Sequence, residues 1–126
     1  MKHNFKKLII WQEAMDLCDK TYTYTENLPS KEKYNLITQM ERCVVSIPSN
    51  IAEGSGKNTE KHFAEFITTA LTSSFELETQ LLICQRRSYG SMQVIEELLT
   101  STTNLQSKIY KFREIINGNH KNEKSK

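Results

Sequence analysis

The residues of this chain best equipped for chemistry are polar side chains at helical spacing. Gln39, Arg42, Ser46, Asn50 and Glu53 recur at three, four, four and three residues, so on a helix they make one polar stripe. Ser73, Glu76 and Gln80 repeat the pattern further on. The stripe is mostly uncharged and short-chained, which suits close hydrogen-bonded contact. The bland alternative is a solvated helix face, a common fate of charged rows. If the two segments fold back on each other through Gly54 to Thr59, Arg42 lies opposite Leu71 to Ser73 and within one turn of Glu76. An Arg42–Glu76 ion pair is therefore expected, fixing register rather than adding much stability. Whether the stripe acts within one subunit or between subunits stays open.

Other patterns carry less. Ser30-x-x-Lys33 matches a nucleophile motif of penicillin-recognising enzymes, but the rest of that motif set is missing and a helix cap explains it. Gly54-Ser55-Gly56-Lys57-Asn58-Thr59 resembles a phosphate loop, but Asn58 stands where Ser or Thr is needed and a helix precedes it. A di-iron bundle needs Glu three residues before His, and Thr59 and Asn117 stand there before His62 and His120. Cys18, Cys43 and Cys84 are odd in number, far apart and at apolar helical positions, so they read as small core residues. Neither catalysis nor any cofactor or metal is expected. Lys57, Lys61, Arg86 and Arg87 are the candidates for phosphate contact, with solvated helix ends as the alternative.

These residues must be positioned by helices. The chain has 126 residues, only four Gly and two Pro, a quarter of its residues charged, and a net charge of +2. That fits one helical domain and does not announce a nucleic-acid binder. No run approaches the roughly 20 apolar residues of a membrane span, and the start lacks a signal-peptide core, so a cytoplasmic location without membrane contact is expected. Four helices are expected at about 6–27, 30–53, 59–88 and 91–117 within a bundle domain of 1–118, followed by a disordered polar tail at 119–126.

The first helix has two apolar stripes, Leu8–Trp11–Met15–Cys18–Tyr22 and Ile10–Ala14–Leu17–Thr21–Tyr24–Leu28. A bundle helix needs one face, so the surplus predicts contact with another subunit. Ser30 is expected to cap the second helix, whose seam is Met40, Val44, Ile47 and Ile51. Pro48 should either kink that helix or divide it. Gly54 and Gly56 suit the left-handed conformation that closes helices. Asn58 or Thr59 caps the third helix, with the seam Phe63, Ile67, Ala70, Ser74, Leu77, Leu81 and Cys84. Gly90 then closes it and Ser91 caps the fourth, whose seam runs Ile95, Leu98, Thr102, Leu105, Ile109, Phe112 and Ile116 until Gly118 stops it. Short turns between long helices make an all-α, up-down-up-down four-helix bundle.

On particular residues the chain resembles the four-helix-bundle proteins encoded in intervening sequences of bacterial 23S rRNA genes. The group includes the accessory variability determinant of diversity-generating retroelements. The residues are Leu8-x-x-Trp11-Gln12-x-Ala14, Pro29-x-x-Glu32-x-Tyr34-x-Leu36-x-x-Gln39-x-x-Arg42, Ser46-Ile47-Pro48-x-Asn50-Ile51-Ala52-Glu53-Gly54 and Ala70-x-x-Ser73-x-x-Glu76-Leu77-Glu78. The resemblance implies a left-handed bundle assembling as a barrel-like homopentamer, no enzymatic activity, and possible partners in RNA or a reverse-transcriptase-like protein. Thr72, Cys43 and Arg87-Ser88-Tyr89-Gly90 depart from the family pattern. An RNA- or nucleoprotein-associated accessory role is the expectation, and a protein-binding oligomeric scaffold the alternative.

Overall fold

The helical seams read in the sequence converge on one core. The computed structural model describes the backbone of residues 4–125 and the side chains of residues 4–118. A 3₁₀ turn, Phe5–Lys7, is capped by the Asn4 side chain and leads into α1, Ile9–Thr25. Next come α2, Thr38–Ser55, α3, Glu60–Arg86, and α4, Met92–Ser125. Each helix packs on the next, and α1 closes the bundle against α4. Met40 meets Cys84, Ser46 meets Ser73, and Gly54 meets Phe63, so α2 and α3 are antiparallel. Phe63 and Phe112 meet edge-to-face, 5.5 Å between centroids, tying the start of α3 to late α4.

All seven α3 seam residues are at most 1% exposed. The α4 seam from Ile95 to Ile116 is buried except for Phe112, which packs against the core half-buried. Of the two α1 stripes, the core takes Ile10, Ala14, Leu17, Thr21 and Tyr24. The other stays at the edge, with Met15 and Tyr22 40% and 43% exposed.

The breaks between helices differ from expectation in four places. Ser30 makes no capping bond; the chain instead passes through a 3₁₀ turn, Ser30–Glu32, and a π-helical stretch, Lys33–Ile37. Glu32 is held there by the Tyr89 hydroxyl at 2.9 Å, a tertiary bond that local propensity does not contain. Gly54 and Gly56 are not left-handed. Gly54 stays in α2, and Gly56 follows it with φ −89°. Gly54 is needed for closeness, since a Cβ there would lie 2.8 Å from both Phe63 Cδ1 and Phe66 Cβ.

At the end of α3 the left-handed closing residue is Ser88, φ 57°, rather than Gly90. The Ser88 N–H donates to Gln85 O and the Tyr89 N–H to Cys84 O, the Schellman pattern that satisfies the last carbonyls. Gly90, φ 75°, then turns the chain against the Tyr24 ring, and Ser91 caps α4 through the Val94 N–H. Finally, Gly118 does not stop α4, because a single glycine costs a helix only about 1 kcal/mol and the helical backbone continues to Ser125. The side chains of the expected polar tail lie outside the described residues.

Pro48 does not divide α2. It removes the N–H that would donate to the carbonyl four residues earlier, that of Val44. The Cys18 thiol of α1 donates to that Val44 carbonyl at 3.1 Å. A neighbouring helix thus supplies the donor that proline lacks, which is why the helix continues through it. Thr59 caps α3, accepting from the His62 N–H at 3.2 Å.

Candidate functional site

The polar stripe divides into an inner and an outer part. Inside, the hydroxyls of Ser46 and Ser73 are 2.8 Å apart and bridge α2 to α3. Asn50 Nδ2 donates to the Ser46 carbonyl at 2.8 Å and to its Oγ at 2.9 Å, which fixes the serine rotamer. One turn away, Gln80 Nε2 donates to Cys43 Sγ, and that thiol donates to Glu76 Oε2, each at 3.4 Å. Burial pushes the Cys43 thiol up, Glu76 adds to the shift, and Gln80 and Arg42 oppose it in part. The thiol stays protonated and acts as a relay of hydrogen bonds, not as a nucleophile.

Outside, Gln39, Arg42, Glu53 and Glu76 are exposed. Gln39 Nε2 donates to Asn35 Oδ1 at 3.3 Å. Among the described residues there is no Arg42–Glu76 ion pair, and Glu76 takes its hydrogen bond from Cys43 instead. The reason is geometric. Cys43, the next residue and about 100° round α2 from Arg42, is the buried side chain that faces α3, and Arg42 is exposed. Across the hairpin Ser46 meets Ser73 and Cys43 meets Glu76, a register about one turn from the expected one, which set Arg42 opposite Ser73. Gln80 joins the seam from the polar row in which it was read, and Cys43 is the member that sequence reasoning placed in the apolar core. The signal was available in its spacing, since Cys43 is three before Ser46.

Two further surfaces flank this seam. On the α1–α2 side, Trp11, Met15, Cys18, Val45, Pro48 and Ala52 line an apolar hollow of about 350 Å³. Burial, with Asp19 nearby, raises the Cys18 thiol to about 11. The candidate phosphate contacts fall at opposite ends of α3. Lys57 and Lys61 are exposed near its start, Lys57 with its ammonium 4.9 Å from the Phe66 ring centroid. Arg86 and Arg87 are exposed at its finish. Cations from other elements join both pairs: the turn before α1 brings Lys6 and Lys7 and late α4 brings Lys111 and Arg113 to the first, and the stretch before α2 brings Lys31 and Lys33 to the second. At the Arg86 end the neighbouring helix termini carry Glu26, Glu32, Glu96 and Glu97.

Among the described residues, no group of three or more His, Cys, Asp and Glu is placed to hold a metal ion. Among the described residues, no helix is long and apolar enough to cross a membrane.

Comparison with known proteins agrees with this architecture. A solved structure of a protein of unknown function from the S23 ribosomal protein family of Bacteroides thetaiotaomicron superposes with a TM-score of 0.77, covering 83% of this chain and 98% of that one. At 18% identity that likeness establishes the fold. No curated protein sequence matches the chain. The family model of the 23S rRNA-intervening sequence protein matches residues 6–111, which takes in the polar seam, the apolar hollow and all three turns between the helices. By that match the chain belongs to the 23S rRNA-intervening sequence protein family.

Proposed function

We infer that this protein is a non-enzymatic, oligomeric accessory factor that works with RNA or a nucleoprotein and contacts phosphate through the Lys57–Lys61 end of the bundle. The observation that carries this reading is the gathering of Lys6, Lys7, Lys57, Lys61, Lys111 and Arg113 at one end, where they outnumber the exposed Glu53, Glu65 and Glu114, while at the opposite end Arg86, Arg87, Lys31 and Lys33 are matched by Glu26, Glu32, Glu96 and Glu97. A family named for intervening sequences of 23S rRNA fits such a role. One subunit is barely cationic at +2, so useful affinity requires several copies presenting the same end. The apolar α1–α2 face, left over after the core is complete, supports that assembly, and a homopentamer is the form proposed.

The test joins two measurements. Light scattering coupled to size exclusion should give about five subunit masses, as a closed ring requires. Binding to a single-stranded RNA should weaken steeply with salt, because phosphate contacts release counterions. Lys57→Gln with Lys61→Gln should weaken it for all sequences alike and flatten the salt slope, while Arg86→Gln with Arg87→Gln should matter little. A monomer at micromolar concentration refutes the assembly. Absence of RNA binding at low salt refutes the RNA role and leaves the protein-binding scaffold, which the exposed apolar face favours.

A further inference from the structure

A second apolar surface lies on the opposite side of α1 from the hollow beside Pro48. There the start of α1 and late α4 run antiparallel and leave an open groove of about 490 Å³. Its floor is formed by Ile9, Phe112 and Ile115, and both isoleucines are 63% exposed. Its rim carries Lys7, Lys108 and Lys111, and no Asp or Glu lines it among the described residues. Lys108 is partly neutralised by Glu13, 2.6 Å away outside the groove. Lys7 and Lys111 stand on opposite walls, one before α1 and one on α4.

Exposed single apolar residues are ordinary on a protein surface, but two aliphatic side chains in one concave strip between two helices are not scattered. A strip of this kind accepts an amphipathic helix laid along it, whose apolar anchors replace water on the isoleucines. The rim then selects the sign of the partner's flanking charge. Lysine stems cover apolar surface while their ammonium groups reach outward, so acidic residues beside the anchors meet them at the groove edge.

We propose that the groove between the start of α1 and late α4 is a docking site for an acidic amphipathic helix of a partner protein. The site is distinct from the α1–α2 face and does not depend on the RNA reading, although Lys7 and Lys111 belong to both.

The test uses a fluorescein-labelled synthetic helix with leucines on one face and glutamates flanking them, read by anisotropy against the intact protein. A second peptide carries lysines in place of the glutamates. The glutamate peptide should bind saturably, with the lysine peptide at least about tenfold weaker, a difference of about 1.4 kcal/mol. Ile9→Ser with Ile115→Ser should weaken the glutamate peptide by about tenfold or more while leaving the melting curve and RNA affinity unchanged. Lys7→Gln with Lys111→Gln should weaken it by several fold and reduce its salt dependence. Equal binding of both peptides, or full binding by the isoleucine variant, overturns the proposal. So does preferential binding of phosphatidylglycerol vesicles over the glutamate peptide, which assigns the groove to a lipid surface. A fall in oligomer mass in the isoleucine variant overturns it as well, because the groove is then a contact between copies of this chain.

Discussion

Replacing Gly54 with alanine should destabilise the bundle even though it improves the helix. Gly54 lies inside α2 with helical geometry, so alanine gains about 1 kcal/mol of propensity. Against this, its Cβ would lie 2.8 Å from Phe63 Cδ1 and 2.8 Å from Phe66 Cβ. The Phe63 ring can pivot at some cost, but Phe66 Cβ is fixed to the α3 backbone, so α2 and α3 must separate. Phe63 is 1% exposed and packs edge-to-face on Phe112, which leaves its ring little room. Overpacking of this kind costs about 1–3 kcal/mol, and the upper half of that range applies where backbone must move. The net expectation is a loss of about 1–2 kcal/mol after the propensity gain. Gly118 supplies the control, because it too is helical and nothing lies within 4 Å of a Cβ placed there. Gly118→Ala should therefore gain up to about 1 kcal/mol. Urea unfolding followed by helical circular dichroism, at one protein concentration, reads both. With a slope of about 1–2 kcal/mol per molar, the two midpoints should move apart by about 1 M or more. Equal or rising stability in both variants would refute the claim that Gly54 sets the α2–α3 distance.

Two more substitutions test the turns and the proline. Ser88→Gly should stabilise the protein by about 1 kcal/mol in the same urea assay, because Ser88 is held at φ 57° where glycine carries no Cβ penalty; an unchanged midpoint would remove the strain argument. Cys18→Val keeps the volume but loses the donor to Val44 O, and should cost about 1–3 kcal/mol. In a Pro48→Ala background, where the backbone N–H returns, the same substitution should cost clearly less; additivity in that double-mutant cycle would show that the thiol does not serve the proline.

What could be read from the sequence, and what could not, divides by the range of the interaction. The α3 and α4 seams were legible because a three-four repeat is a local property of the chain, and every α3 position in it is buried. The pair of stripes on α1 was legible, but not which of them the core would take. That depends on where α2 and α4 sit. Ser46 and Asn50 share a stripe by spacing alone, and it takes the α2–α3 hairpin to bring Ser73 to Ser46. The Arg42–Glu76 pair failed because the side of α2 turned to α3 carries Cys43, and backbone level alone does not say which side that is. Cys18 was read as a small apolar filler. Its hydrogen bond to Val44 depends on Pro48, thirty residues away in the chain, and Pro48 announces only that a donor is missing. Ser88 was passed over for Gly90 because glycine is the usual left-handed residue, and the carbonyls of Cys84 and Gln85 chose otherwise.

The division of the polar stripe also bears on how copies of this chain would associate. Ser46, Asn50 and Ser73 satisfy one another within the subunit, so they offer a partner little beyond what they already hold. Arg42, Glu53 and Gln39 remain exposed, but exposed ion pairs contribute about 1 kcal/mol or less each. The α1–α2 face is different. Met15, Tyr22 and Val45 are each about two-fifths exposed, and Trp11 is half-buried beside them. Burying such side chains fully is worth about 1.5–3 kcal/mol apiece from a fully exposed start, and a proportionate share from here. Several together outweigh the charged rim, so the apolar face is the one that would hold an assembly together. The outer stripe residues would then set its register, much as a polar position does in a coiled coil, at little gain in stability. On this argument a charge placed at Met15 disrupts assembly more than loss of the Arg42 guanidinium does.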